Sequence, residues 1–420
     1  MKRLLYVCLD GLGDEPNPDL DGLTPLEAAD TPFLDSLAQK GRTGTVITVG
    51  EGIAPESDIA VFAILGYDPR EEHPGRGVVE AVGTGMRFET GDLAYRINFA
   101  TADWPKITDR RVGRDLSSEE SKELAKGVNE NLHLPGATFE LLATVEHRGV
   151  LVMHSEDGPL SANVTNTDPA YGKQGHLGVA LEHFENEVVH CDALDDSEEA
   201  KRAALLTNAF VEESHWIMDQ ATVNEVRRIE GKMPGNLILT RDGGDRIPQL
   251  QPISERSGMS WGCFVEMPVE RGIALLLGME TVAVPRLTHD DRYAEWADRA
   301  AAALDDYQAL YVHLKGPDVP AHDGKAEDKK KIIETIDRAF FGEVLPRLNM
   351  RDTVVAVTAD HSTSCVREAH TAEPVPLLVS GAGVSPDGTV SFGEREAATG
   401  SLGLLAGTEI VPTLVELMRN

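Results

Sequence analysis

Residues 353–364 read Thr353-Val354-Val355-Ala356-Val357-Thr358-Ala359-Asp360-His361-Ser362-Thr363-Ser364, an apolar, β-branched run that ends on a carboxylate and an imidazole. An unbroken apolar run of this length, with no polar alternation, predicts a strand buried on both faces, as in parallel sheets. The pattern recurs twice upstream. Ala309-Leu310-Tyr311-Val312-His313-Leu314 leads to Lys315-Gly316-Pro317-Asp318, and Leu4 to Leu9 leads to Asp10-Gly11-Leu12-Gly13-Asp14. Val375 to Val379 is a further candidate strand. Helical spacing lies between them. Pro32 suits a first turn ahead of Phe33, Leu34, Leu37 and Ala38; Ile59 to Leu65 follows Ser57; and Lys329 to Phe341 sets Ile332, Ile333, Ile336 and Phe340 on one face. Strands alternating with helices predict an α/β fold: a mostly parallel sheet flanked by helices.

The middle of the chain has another texture. From about residue 90 to 246 the strands are shorter and more polar, turns are frequent, and an acidic patch runs from Asp192 to Glu199. Residues suited to one active site stand on both sides of this segment. The simplest organisation is an α/β domain made of residues 1–89 and 247–420, interrupted by a smaller α+β domain over 90–246.

With 70 acidic and 39 basic residues the formal net charge is −31, a surface that repels nucleic acid and anionic membranes. Neither is an expected partner. A phosphorylated small molecule would need positive charge concentrated locally, from metals or clustered arginines. The four cysteines (Cys8, Cys191, Cys263, Cys365) are far apart and form no CxxC pair, as in a reducing compartment. Lys2 and Arg3 precede a short apolar run, but it meets Asp10 without a small-residue cleavage pattern. No apolar run is long enough to span a bilayer. A cytoplasmic protein is expected.

The chemistry-bearing residues follow the strands. Asp10, Asp318 and the Asp360-His361 pair each stand just after one, where the carboxyl ends of a parallel sheet line a ligand crevice. His322 is four residues beyond Asp318, close enough to share a cation if the segment makes a helical turn, and His370 follows in a short loop. Nitrogen and oxygen ligands without thiolate favour manganese, zinc, cobalt or magnesium. A single histidine here would more simply be a satisfied polar residue, and His313 inside its strand is read that way; the cluster is harder to explain so. Ser57 opens a helical pattern. It fits an ordinary N-cap serine, and equally a nucleophile facing the free N–H groups of a helix start, where a phosphoryl group is stabilised. Asp109-Arg110-Arg111-Val112-Gly113-Arg114 gathers three arginines, either a solvated loop or a grip for phosphate or carboxylate. Gly83-Thr84-Gly85 is too short for a dinucleotide fingerprint, and no P-loop lysine motif occurs.

Taken together these runs resemble the archaeal-type cofactor-independent (2,3-bisphosphoglycerate-independent) phosphoglycerate mutase family of the alkaline phosphatase superfamily. The resemblance covers nearly the whole chain, through LDGLGD, SDIAVFAILGYDP, GRGVVEAVGTG, DRRVGR, NTDP, HLKGPDVPAHDG and VTADHSTSC. It implies an alkaline-phosphatase-like sheet and two divalent cations, of which manganese is the first choice. One would be held by Asp10, Ser57, Asp360 and His361, the other by Asp318, His322 and His370. It implies Ser57 as the nucleophile that carries the phosphoryl group, and interconversion of 3-phosphoglycerate and 2-phosphoglycerate inside a pocket closed by the inserted domain.

The chain departs from the family pattern at Glu56, where many relatives have glycine, at Asp318-Val319-Pro320-Ala321-His322-Asp323-Gly324, and at Arg286-Leu287-Thr288-His289-Asp290. A lysine expected near the nucleophile aligns loosely with Arg256. No departure removes a ligand. They leave open a phosphatase or another phosphotransferase acting on a different phosphate ester, and the intact ligand set argues against a non-catalytic scaffold.

Overall fold

The computed structural model describes residues 2–174, 177–181, 183–287 and 291–419; of the departures noted above, Thr288-His289-Asp290 lies outside them. The chain separates into two compact units, one formed by Met1–Glu72 with Leu250–Asn420 and the other by His73–Gln249.

The larger unit is built on an eight-stranded sheet. Its strands run, in spatial order, Glu280–Val282, Trp261–Phe264, Ala309–Leu314, Arg3–Leu9, Thr353–Thr358, Val375–Gly381, Gly41–Ile47 and Gly403–Ala406. All neighbours pair in parallel except at Val375–Gly381, which runs antiparallel to both of its partners. Every position of Ala309–Leu314 and Thr353–Thr358 is buried, and side chains alternate across a sheet, so both faces are covered. This explains why their sequences show no polar alternation.

The register decides where the chemistry goes. Strand Arg3–Leu9 lies between the two others, with Leu9 opposite Leu314 and Cys8 opposite Thr358. Three parallel strands thus end side by side, and the chain leaves them to opposite sides of the first strand. That is the switch point at which open α/β sheets bind ligands.

The inserted unit is antiparallel. Leu93–Asp103 pairs with Arg148–Ser155 on one edge and with Leu237–Gly244 and Lys106–Asp109 on the other, while Ala137–Ala143 extends the sheet beyond Arg148–Ser155. Tyr95, Ile97 and Phe99 point into a core shared with Phe210 and Val211 of helix Glu198–Asp219. Ala94, Val150 and Val152 meet Val78 and Ala81 of helix Arg76–Thr84 instead. The boundary therefore falls after Glu72, not near residue 90. Helix Arg76–Thr84 presses so closely on the first strand of this sheet that a Cβ on Gly77 would lie 2.2 Å from the Ala94 carbonyl oxygen.

Candidate metal centre

The loops after the three central strands are locked together by glycine. Gly11 sits at φ +64°, and a Cβ there would lie 2.8 Å from Thr363 Oγ1 and 2.9 Å from Asp318 Cα. The Gly11 amide donates to Asp360 Oδ1 at 3.1 Å. A Cβ on Gly13 would lie 2.1 Å from Ser362 Oγ, and the Thr363 amide donates to the Gly13 carbonyl at 2.9 Å. Only a residue without a side chain allows this approach. Behind the loops, the fully buried Lys329 ammonium donates to Gly13 O, Asp14 Oδ2 and Thr363 O at 3.0, 2.9 and 2.8 Å.

On this frame the expected residues converge. Asp318–His322 is one helical turn, which brings His322 Nε2 to 3.5 Å from Asp318 Oδ1. His370, on the short strand Ala369–Thr371, places Nε2 3.6 Å from the same oxygen. The His361 ring stacks on His370 with centroids 3.7 Å apart. His361 Nε2 is 3.3 Å from Asp360 Oδ2, 3.5 Å from Asp10 Oδ1 and 3.1 Å from Ser57 Oγ. Ser57 is the first residue of helix Ser57–Ile64, with Glu56 in the N-cap position; its hydroxyl turns to the imidazole and caps nothing.

Among the described residues, two groups offer ligand atoms within 4.8 Å of one another: Asp10, Asp360 and His361, and Asp318, His361 and His370. His361 belongs to both, while His322 joins through Asp318. The donor set fits divalent cations on two counts. Asp10 Oδ1 and Asp360 Oδ2 are buried with no hydrogen-bond partner among the described residues. A buried carboxylate oxygen left without a donor is costly, and a cation removes that cost. The second count is tautomeric. His322 Nδ1 faces the Glu368 carbonyl at 3.0 Å, and His370 Nδ1 faces the Pro55 carbonyl at 2.8 Å. Carbonyls only accept, so each Nδ1 carries a hydrogen and Nε2 is the atom that each ring turns toward Asp318, a ligand nitrogen once a cation displaces any proton there.

The electrostatics point the same way. Burial disfavours charge on Asp10, yet Lys315, His313 and His361 around it hold its carboxyl well below the usual carboxylate range. Burial and the Asp10 charge push Asp318 up, and His370 and His361 outweigh them, leaving it at about 2. Burial pushes His370 down, and Asp318, Glu56 and the Pro55 carbonyl outweigh it, raising it to about 9. This is a carboxylate-rich pocket that gathers positive charge.

Sequence reading missed several members. Lys315 Nζ sits 2.5 Å from Asp10 Oδ2 and 2.7 Å from Glu270 Oε1. His313, taken for a plain core residue, accepts or donates at 3.0 Å to the Tyr311 hydroxyl and lies 3.8 Å from Asp10 Oδ2. For His313 the available signal was a polar residue inside an apolar strand, and for Lys315 a cation one residue past the end of that strand.

Arg256 is elsewhere. Its guanidinium lies 3.8 Å over the Tyr67 ring, donates to the Gly66 carbonyl at 2.9 Å and pairs with Glu72. Gly66 lies past the end of the eight-residue helix that Ser57 begins, so Arg256 stands about 12 Å or more along the axis from Ser57. The expected correspondence with a lysine beside the nucleophile fails.

In the inserted unit, Arg110 forms a two-pronged pair with Asp168, at 2.8 and 2.7 Å, and lies over Tyr171. Arg111 is half-buried and Arg114 exposed. Burial, and then the charges of Arg114, Arg110 and Arg148, make the Arg111 guanidinium easier to deprotonate, with only Tyr171 opposing. His147 is pushed down to about 3 by burial and then by Arg148, Arg111, Arg96 and Arg114. Arg96 and Arg241 stand opposite each other on neighbouring strands. The DRRVGR arginines are therefore part of a larger basic group, with its remaining members carried by separate strands.

Known proteins place the chain. The family model described as 2,3-bisphosphoglycerate-independent phosphoglycerate mutase matches residues 38–224. A relative of that name from Aeropyrum pernix is 40% identical over 99% of each chain. Another from Thermococcus kodakarensis is 37% identical over 100% of this chain and 98% of its own. A solved structure of a protein from Pyrococcus horikoshii, 30% identical, superposes with a TM-score of 0.81 over 100% of this chain and 97% of that one. The cofactor-independent phosphoglycerate mutase of Thermoplasma acidophilum, also 30% identical, superposes with a TM-score of 0.65 over 99% and 100%. The chain belongs to the 2,3-bisphosphoglycerate-independent phosphoglycerate mutase family.

Proposed function

We propose that this chain interconverts 3-phosphoglycerate and 2-phosphoglycerate through a phosphoserine on Ser57. The observation that carries the reading is the position of Ser57 Oγ, 3.1 Å from the imidazole that both ligand groups share. Asp10, Ser57, Asp360 and His361 would hold one divalent cation and Asp318, His322 and His370 the other, and such a pair supplies charge neutralisation on the phosphoryl oxygens and a lowered pKa for the serine hydroxyl. Manganese is the cation we propose.

The residues divide the work. Ser57 Oγ forms a bond to phosphorus as the bond from phosphorus to the glycerate oxygen breaks, and that oxygen takes up a proton. The neighbouring glycerate hydroxyl then attacks phosphorus, the serine ester breaks and Ser57 recovers its proton. Lys315, pinned by Asp10 and Glu270, supplies a fixed positive charge beside the ligand group. Arg110, Arg111 and Arg114, with the basic group around them, grip the carboxylate or phosphate of the substrate. The attacking group belongs to the protein, so no 2,3-bisphosphoglycerate primer is required.

All four cysteines are free thiols, in keeping with a cytoplasmic setting, and no helix among the described residues is long and apolar enough to cross a membrane. The test is to incubate manganese-loaded protein with 3-phosphoglycerate and resolve 2-phosphoglycerate from free phosphate. Isomerised product is expected to dominate. Phosphate without isomerised product would assign a phosphatase instead.

A further inference from the structure

Thr363 is fully buried and carries no charge, yet its hydroxyl stands between the two ligand groups. Oγ1 is 3.0 Å from His361 Nδ1 and 2.8 Å from Asp318 Oδ1. The direction of these bonds is forced. An ionised carboxylate accepts only, so the hydroxyl gives its single hydrogen to Asp318. Its lone pair then faces His361 Nδ1, which must carry the ring hydrogen if the ring is neutral. The reverse wiring would press a threonine lone pair against a carboxylate oxygen at 2.8 Å. His361 is left with its Nε2 lone pair turned to Asp10, Asp360 and Ser57, as a ligand nitrogen requires.

The arrangement differs from that of the other two imidazoles. His322 and His370 are each oriented by a backbone carbonyl, whereas His361 is oriented by a side chain that also touches the second ligand group. The hydroxyl has little freedom to move. Its residue is held by its amide on the Gly13 carbonyl and by Lys329 on its own carbonyl, and the missing side chain of Gly11 leaves the space that Oγ1 occupies.

We propose that Thr363 is a positioning residue that sets the His361 tautomer and couples the two cation positions. Occupancy of the Asp318 group draws on the Thr363 hydrogen; the same hydroxyl fixes the ring that serves the Asp10 group. The inference rests on reading the two groups as divalent-cation sites, and its test separates the two ideas.

Thr363→Val keeps the shape and removes the hydroxyl; Thr363→Ser keeps the hydroxyl. In metal-free protein, imidazole nitrogen-15 spectra should show His361 protonated at Nδ1 in the parent and in Thr363→Ser, and a mixed or reversed tautomer in Thr363→Val. Manganese titration, followed by the electron paramagnetic resonance of the free ion, should give two bound ions in the parent. Thr363→Val should weaken both by about 10- to 100-fold, the usual effect of losing an outer-shell partner, with Thr363→Ser within about threefold of the parent. Unchanged affinities in Thr363→Val, or a loss confined to one ion, would overturn the coupling. Should Thr363→Val not fold, parent protein with His361 protonated at Nε2 would overturn it alone. Parent protein that binds no manganese would instead defeat the cation-site reading.

Discussion

Replacing Lys329 with methionine removes a fully buried charge that ties the loop after the first strand to the loop after Thr353–Thr358. The side chain is 0% exposed, and its three hydrogens are each spent: on Gly13 O, Asp14 Oδ2 and Thr363 O. Methionine has similar length and volume, so little cavity term arises. What remains is a fully buried Asp14 carboxylate without its cation and two carbonyls without a donor. Deleting one member of a buried pair costs about 3–5 kcal/mol. Asp14 keeps its bonds from the Glu15 and Cys365 amides at 2.8 and 3.1 Å, which solvate part of the charge. The cost should therefore fall near the lower end, at about 3 kcal/mol. Adding Asp14→Asn removes the stranded charge and should return on the order of 1–2 kcal/mol, so the double variant should be less destabilised than the sum of the singles. Hydrogen exchange read peptide by peptide is the suitable assay, since the two units need not unfold together. The loss should appear in peptides of Met1–Glu72 and Leu250–Asn420, with His73–Gln249 unchanged. A loss below about 1 kcal/mol, or strict additivity in the double variant, would refute the reasoning.

Ser57→Ala should abolish isomerisation while both cations still bind, because the remaining ligands are untouched; activity assay beside manganese titration checks this, and retained turnover would exclude Ser57 as nucleophile. Gly77→Ala drives a Cβ to 2.2 Å from the Ala94 carbonyl oxygen and 2.7 Å from Tyr95 Cα, so backbone must move; a destabilisation of about 2–3 kcal/mol confined to the inserted unit is expected by hydrogen exchange. Asp337 is 0% exposed and accepts from the Phe33 and Leu34 amides, but burial outweighs those bonds, with Asp35 and Asp30 adding to it, and raises its carboxyl to about 6. Its folded value exceeds its unfolded one, so this contribution is fully present below about pH 4 and is lost as pH rises through about 6, by on the order of 3 kcal/mol. Asp337→Asn should flatten the fall in Tm between pH 4.5 and 6.5; an unchanged slope would show that Asp337 does not titrate there.

The strands and their ends were legible because a strand buried on both faces cannot alternate, leaving TVVAVT and ALYVHL as unbroken runs. The convergence of carboxylates and an imidazole was legible because Asp10, Asp318, Asp360 and His361 stand within four residues of such an end. The inserted unit's border was not. Helix Arg76–Thr84 is amphipathic like any helix that covers a parallel sheet, and nothing in its pattern says that its apolar face meets Ala94 and Val150. Arg96, Arg148 and Arg241 sit alone in separate strands, and only the antiparallel register gathers them. Arg256 failed for a geometric reason: proximity to a helix in an alignment does not say which end of it is reached. Thr363 gave no signal, since one hydroxyl among several in HSTSC has no spacing to betray it.

The central position of strand Arg3–Leu9 has a consequence for synthesis on the ribosome. Leu4 pairs with Ala309 and Val354, so this strand waits for about 300 residues before either neighbour exists. At roughly 5–20 residues per second that is on the order of 15–60 s. During that interval LLYVCL is an unpaired apolar edge, the kind of segment that chaperones shield and that aggregates when they do not. The intervening unit has all its strands by Gly244 and can close on itself first. A chain stopped near residue 300 should accordingly resist protease across His73–Gln249 while the first 72 residues are digested.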